Sequence, residues 1–123
     1  MTFTLKLVLA LIFVVATASV SAQDPVKLSP TMYTVLLEND HVRVLEFRCK
    51  AGEKEPMHFH PAAVAYSVSA GKYRMTTKDG KVTEGDSKPG TTVWADPGTH
   101  SFECLGPGEQ RTIITELKTT RKP

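Results

Sequence analysis

Three of the four histidines in the sequence are spaced as ligands of a single metal ion. His58 and His60 lie two positions apart, and residues i and i+2 of a β-strand point to the same face. His100 follows the turn residues 96–98. Neutral imidazole nitrogens hold divalent metals at about 2.0–2.1 Å, so a strand with the pair and a second strand with His100 would form a three-nitrogen site. A His-x-His pair in other surroundings is more often solvated, and we expect His41, beside a turn, to lie on the surface.

The elements that must position these histidines are β-strands. Beyond residue 22, no stretch carries apolar residues at helical spacing over three turns. Short runs rich in Val, Ile, Thr, Tyr and Phe alternate with turn residues, and Asp79-Gly80 is the strongest hairpin signal. The runs predict nine strands, at 33–37, 42–49, 57–60, 63–69, 72–78, 81–84, 91–95, 99–105 and 111–118. Short strands at this spacing predict an all-β sandwich or closed barrel with no long helix.

The first histidine pair lies in a stretch that resembles the first motif of the cupin superfamily, G-x5-H-x-H-x3/4-E-x6-G. The sequence reads Gly52-x5-His58-x-His60-x3-Val64-x6-Gly71, and every spacing fits. The resemblance is closest to small single-domain cupins, and it covers most of residues 23–123. It implies a single RmlC-like jelly-roll β-barrel with a metal ion inside.

The third histidine lies in a looser match. Gly90-x5-Asp96-x-Gly98-x-His100-x3-Cys104 resembles a shortened second cupin motif, G-x5-P-x-G-x2-H-x3-N. The resemblance implies that the ligands are the residues matching the family's histidines, His58, His60 and His100. It leaves the divalent ion open among Fe, Zn, Mn, Ni and Cu.

Val64 stands where cupins usually carry a glutamate ligand. Counted along the chain, Val64 has the same parity as His58 and His60, so we expect it to face the site, where it cannot bind a metal. Three neutral ligands leave the ion its full double charge and open coordination positions, which favours a small anionic ligand. In ligand set, the site resembles cysteine dioxygenase and some diketone-cleaving enzymes.

The same parity argument predicts the lining of the pocket. We expect Tyr66 to point inward after Val64, Phe102 to point inward after His100, and Trp94 to lie at the mouth. The Tyr66 hydroxyl is the candidate hydrogen-bond donor to a bound anion. No carboxylate is clearly placed to orient an imidazole.

Residues 1–22 have the pattern of a secretory signal peptide. Lys6 precedes the unbroken apolar run 7–16, and Val20-Ser21-Ala22 fits a cleavage site. We predict cleavage after Ala22, a mature domain of residues 23–123, and export to the periplasm or the extracellular space. The alternative is an uncleaved membrane anchor, for which the apolar run is about half the roughly 20 residues that a spanning helix needs.

The predicted compartment bears on whether the two cysteines of the sequence form a disulfide. Export would place Cys49 and Cys104 in oxidising surroundings, where one disulfide between them can form. The alternative, which we favour because a disulfide requires a strict spacing of the two Cα atoms, is a pair of buried thiols. Cys104 shares the parity of His100, so it is also a candidate soft ligand.

The balance of basic and acidic residues limits the kinds of binding partner that the domain can attract by charge. Removing the leader, with Lys6 as its one basic residue, leaves 14 basic residues against 13 acidic ones. A nearly neutral domain has no excess of positive charge that would attract nucleic acid or, after cleavage, a membrane surface. Homodimers are common in the family that the chain resembles, so a homodimer is a further possible assembly. Two functions stay open: a metal-dependent oxygenase or isomerase acting on a small organic acid or thiol, and a non-catalytic module that binds metal or a small ligand. The third alternative is a barrel without either function, in which the histidines are merely packed.

Overall fold

The computed structural model describes residues 23–119. Within this range the chain forms one single-turn helix and nine strands: α1 Pro25–Leu28, β1 Tyr33–Glu38, β2 Val42–Cys49, β3 Lys54–His60, β4 Ala63–Ser67, β5 Gly71–Thr77, β6 Val82–Ser87, β7 Thr92–Ala95, β8 Gly98–Gly106 and β9 Gln110–Leu117. The prediction of an all-β fold is confirmed. The predicted leader, residues 1–22, lies outside the described residues.

The strands form two antiparallel sheets. The five-stranded sheet has the order β1-β2-β9-β4-β7 and the four-stranded sheet the order β3-β8-β5-β6. Two strands extend three residues beyond their predicted ranges at one end. β3 begins at Lys54 rather than at residue 57, and β6 continues to Ser87 through a stretch predicted as loop. The polar side chains of β6 do not indicate a strand, but its backbone pairs with β5 along this stretch.

The core lies between the inner faces of the two sheets. Leu45 and Phe47 alternate inward along β2, and Tyr33 packs beside them from β1. Cys49 and Cys104 form a disulfide between β2 and β8, and their Cα atoms are 6.1 Å apart. Our preference for two buried thiols was therefore wrong: each cysteine lies on the inner face of its sheet, where the two strands bring them within disulfide distance.

The short helix packs on the barrel next to β1 and β3. Asp24 caps it by accepting a hydrogen bond from the Val26 N–H at 3.1 Å, and Pro25 occupies the first turn, the position that tolerates proline best. One turn is too short to show helical periodicity, which explains why the sequence pattern did not reveal it. Within residues 23–119, no helix has the length and apolar character needed to cross a membrane.

Candidate metal centre

Three histidine side chains converge between β3 and β8. His58 lies directly opposite His100 on the neighbouring strand, and His60 lies opposite Gly98. Their nearest ring nitrogens all lie within 4.8 Å of one another. Two nitrogens that hold one ion at about 2.0–2.1 Å lie no more than about 4.2 Å apart, so the three rings are close enough to share an ion after a small side-chain adjustment.

Hydrogen bonds at the outer nitrogens set the tautomers of two rings. His58 Nδ1 lies 2.8 Å from the Pro56 carbonyl, and His60 Nδ1 lies 2.7 Å from Glu116 Oε1. A carbonyl or a carboxylate oxygen can only accept, so each Nδ1 donates and each Nε2 keeps its lone pair. Among the described residues, the buried Nε2 of His58 has no hydrogen-bond partner. A ligating histidine commonly donates its other N–H in this way, so the three side chains fit a divalent ion.

Burial keeps two of the three rings neutral. It lowers the pKa of His58 to about 4. Burial, and then repulsion from protonated His58 and His60, lowers the pKa of His100 to about 3. Since imidazole must be neutral to ligate, these two rings are ready to bind metal at neutral pH without releasing a proton.

Glu116 connects His60 to an ion-pair network. Its Oε2 accepts a hydrogen bond from Arg43 Nε at 2.6 Å, and the Arg43 guanidinium also contacts the carboxylate of Asp24. Burial opposes ionisation of Glu116, but the hydrogen bonds from His60 and Arg43 outweigh it and hold the pKa of Glu116 below its ordinary value. The sequence analysis missed this carboxylate. Its parity along β9 with Ile114, which lines the cavity, is the signal that could have revealed it.

Glu55 is a second buried carboxyl group beside the cluster. Its Oε2 lies 3.5 Å from His58 Nδ1, and the Tyr33 hydroxyl donates to it at 2.9 Å. Burial raises the pKa of Glu55 to about 8, although the Tyr33 hydrogen bond opposes the rise. Strict alternation from His58 would place Glu55 on the outer face. A bulge between Glu55 and His58 turns it inward.

A cavity of about 500 Å³ adjoins the histidines between the two sheets. Most of its wall surface is apolar, and Phe102 and Trp94, two of the predicted lining residues, contribute to it. The indole Nε1–H of Trp94 donates to Asp96 Oδ1 at 2.9 Å. His60 and His100 line the cavity together with Glu55, so a molecule in the cavity would lie next to the ion.

The structure corrects three of the predicted lining residues. From β4 the cavity is lined by Ala63, Ala65 and Ser67, and the Tyr66 side chain is 45% exposed. Val64 and Tyr66 alternate with these residues and so point away, because the break between β3 and β4 resets the parity counted from His60.

Cys104 is the third correction. It faces inward as predicted, but it is bonded to Cys49 in the core. A sulfur atom in a disulfide is not a thiolate, so it is no candidate ligand. His41 is exposed, as expected.

Solved structures share the fold. A cupin domain from Bordetella pertussis Tohama I is 22% identical with a TM-score of 0.66, over 71% of this chain and 92% of that one. An RmlC-like cupin family protein with a double-stranded β-helix fold from Methanocaldococcus jannaschii is 15% identical with a TM-score of 0.58, over 70% and 78%. An uncharacterised conserved protein with a double-stranded β-helix domain from Klebsiella pneumoniae is 21% identical with a TM-score of 0.57, over 84% and 90%.

No protein-family model matches the sequence, and no curated protein matches it. The structural similarity shows the architecture: the domain has a jelly-roll fold like that of the cupin structures, a double-stranded β-helix. The likeness to these structures concerns the fold alone, so the function must be argued from the site.

Proposed function

We propose that the protein binds one divalent metal ion through His58, His60 and His100 and holds a small organic anion in the ion's open coordination positions. The observation that carries the proposal is the buried, unpartnered Nε2 of His58. A buried polar atom without a partner costs roughly 1–3 kcal/mol, and an ion between the three rings would remove that cost. Iron, zinc, manganese, nickel and copper all accept imidazole ligands.

The surroundings of the site support an anionic ligand. Three neutral imidazoles leave the double charge of the ion unneutralised at the end of a mainly apolar cavity, where an uncompensated charge is costly. Glu116 is paired with Arg43, and Glu55, with its raised pKa, is largely protonated at neutral pH. Neither carboxyl group therefore offers a free negative charge, and a carboxylate or thiolate ligand would supply one.

The cavity beside the histidines favours a catalytic function for this site. The protein would then be a metal-dependent oxygenase or isomerase of a small organic acid or thiol. Glu55, a carboxyl group that can donate or accept a proton, lines the same space in which the ligand would lie. A non-catalytic module for metal or ligand storage requires the binding alone. The two functions differ in one observable, turnover of the bound acid.

The test begins with metal uptake. The protein is stripped of metal and titrated with Co²⁺ and Zn²⁺ by calorimetry, with metal content checked by mass spectrometry. We expect one ion per chain, and His58→Ala should weaken binding at least about tenfold, since loss of a ligand should cost no less than loss of its hydrogen-bonded support. His41→Ala is the matched control, because His41 is an exposed histidine away from the cluster. Equal affinity in the parent and in the triple alanine variant of the three ligands would overturn the site.

The second stage separates the two functions. The metal-loaded protein is mixed with small carboxylates and with cysteine, and binding is followed in the Co²⁺ spectrum. Oxygen consumption and product formation are then measured with the iron-loaded form. Binding with turnover supports the enzyme, binding without turnover across these acids supports the module, and no change in the spectrum with any anion contradicts the proposed ligand class.

We also propose that the protein is exported. The leader pattern of residues 1–22 supports this, as does the Cys49–Cys104 disulfide, a bond that is rare in the cytosol. An intact mass beginning at Gln23 in exported protein is the expected result, and a retained Met1 would contradict it.

A further inference from the structure

An ion-pair network runs from the first residues of the domain to one of the candidate metal ligands. Asp24 binds Arg43 through two parallel bonds, at 3.0 Å from Nη1 and 3.1 Å from Nη2. Arg43 Nε donates to Glu116 Oε2 at 2.6 Å, and Glu116 Oε1 accepts from His60 Nδ1 at 2.7 Å. The network thus joins the residue that caps α1 to the imidazole of His60.

The network is well shielded from solvent at its inner end. The Glu116 side chain is 3% exposed, whereas the Arg43 and Asp24 side chains are 17% and 18% exposed. Bidentate pairs between arginine and carboxylate are the stronger and more directional class of ion pair. Arg43 is also held by strand pairing, since it lies opposite Glu116 on β9 and opposite Glu38 on β1. Each member is therefore restricted by the next, and the Glu116 carboxylate has little freedom to turn away from His60.

The arrangement has a consequence for the metal. A carboxylate that accepts from the outer nitrogen of a ligating histidine sets its tautomer and ring orientation and raises its basicity. Arg43 uses its Nε for Glu116 and its two terminal nitrogens for Asp24, so removing Asp24 would free the guanidinium to turn away from Glu116. Asp24 would then influence His60 through Arg43 and Glu116 without touching the ring.

We propose that Asp24 and Arg43 are positioning residues for the metal centre: they hold the Glu116 carboxylate on His60, so the N-terminal segment of the domain helps to set one ligand. The inference about the metal rests on the proposed function, whereas the orientation of the His60 ring can be measured in the metal-free protein. This inference also gives Asp24, which lies close to the predicted cleavage site, a role in orienting a ligand of the metal centre.

The first experiment needs no metal. The tautomer of His60 is read from the ¹⁵N shifts of its ring nitrogens in metal-free protein. The parent should carry its proton on Nδ1, and Arg43→Gln should shift His60 toward a mixture with the Nε2–H form. Arg74→Gln is the matched control, since Arg74 also bridges two carboxylates, those of Glu84 and Glu103. Unchanged ring shifts of His60 in Arg43→Gln would overturn the inference, even if that variant is less stable.

The second experiment measures Co²⁺ affinity and the Co²⁺ absorption spectrum. Glu116→Gln should weaken binding by about 10- to 100-fold, and Arg43→Gln by about three- to tenfold because the carboxylate remains but is released. Asp24→Asn keeps a side chain that caps helices about as well as aspartate, removes the charge, and should weaken binding less than Arg43→Gln. The Arg74→Gln control should match the parent in affinity and spectrum.

A double-mutant cycle distinguishes a network from two independent effects. If Asp24 acts through Arg43, Asp24→Asn should add nothing in the Arg43→Gln background. Additive losses would show that Asp24 does not act through Arg43 and would overturn the inference. The inference would also be overturned if the variants unfold at lower temperature while metal affinity, Co²⁺ spectrum and His60 ring shifts stay at parent values, because the two residues would then be merely structural. If the parent takes up no Co²⁺, the proposed function fails, and the ¹⁵N experiment still decides the role of Arg43.

Discussion

At the scale of single residues, burial controls the chemistry of the centre. His58 and Glu55 are almost fully buried, and low polarity around a group disfavours its charged form. The two groups therefore respond in opposite directions: the base His58 loses affinity for protons, and the acid Glu55 gains it. Both become neutral at physiological pH, so neither group supplies a charge that would offset that of a bound ion.

The lowered pKa values predict a metal affinity that resists acid. Between pH 7.5 and 5, proton competition weakens a ligand of ordinary imidazole pKa by about 30-fold, and three such ligands by about 10⁴-fold. His58 and His100, with pKa values of about 4 and 3, stay neutral over this range. We expect the affinity for Zn²⁺ to fall far less than the roughly 10⁴-fold of three ordinary ligands, measured by calorimetry at both pH values. A fall above about 1,000-fold would mean that these rings are not buried as described.

Glu55 predicts a stability difference that depends on pH. Its pKa is about 8 in the folded protein and 4.5 ordinarily, so between these values the folded state binds more protons and the contribution of Glu55 to stability falls as pH rises. Replacement by Gln keeps the acceptor for Tyr33 and cannot ionise. Metal-free Glu55→Gln should match the parent near pH 4.5 and exceed its free energy of unfolding by roughly 2–4 kcal/mol at pH 8.5. The measurement is urea unfolding at both pH values, and a difference that shrinks with rising pH would contradict the assignment.

At the scale of elements, strand pairing determines which side chains reach the cavity. The pair β3 and β8 places His58 opposite His100, and alternation then places His60 on the same face. The same pair contains the bulge that turns Glu55 inward. On β4, by contrast, Ala63 and Ala65 face the cavity and Val64 does not. The carboxylate that the first motif would supply at position 64 would therefore point away from the histidines.

This register predicts that Ala65 and Val64 respond differently to the same substitution. Ala65→Glu places a carboxylate in the cavity, where it should compete for the open positions of the ion and weaken small-anion binding by at least about tenfold, at some cost in stability. Val64→Glu should leave anion affinity within about twofold, because it faces away from the ion. Binding of carboxylates to the Co²⁺-loaded variants, followed in the visible spectrum, compares the two. The opposite result would show that β4 is shifted by one residue.

At the scale of the whole molecule, the disulfide is the covalent link between the two sheets. Cys49 ends β2 in the five-stranded sheet, and Cys104 lies in β8 of the four-stranded sheet. Both are fully buried, beside the aromatic core and on the same strands that carry Phe47 and His100. The bond therefore limits the separation of the two sheets that enclose the cavity.

Removing the disulfide should lower stability much more than it lowers metal affinity. The bond closes a loop with a sequence separation of 55 residues, for which the chain-entropy account gives about 4 kcal/mol. We expect the Cys49→Ser/Cys104→Ser protein to lose roughly 2–5 kcal/mol in denaturant unfolding and, where still folded, to bind Co²⁺ within about threefold of the parent, because neither sulfur contacts the ion. A loss of affinity above tenfold in folded protein would show that the spacing of the sheets controls the centre.

The sequence by itself determined the strand-rich architecture and the three histidines, since both depend on local patterns. An i, i+2 pair on a strand shares a face in any sheet, and turn residues mark strand ends wherever the strands later pair. The tertiary structure alone decided the rest of the centre. Glu116 reaches His60 across 56 positions of sequence because β9 lies between β2 and β4. Glu55 faces inward because of a bulge, Val64 faces outward because parity does not survive the break after His60, and the cysteines meet because two sheets pack. Each of these depends on pairing between distant segments, and short-range periodicity carries no information about that pairing.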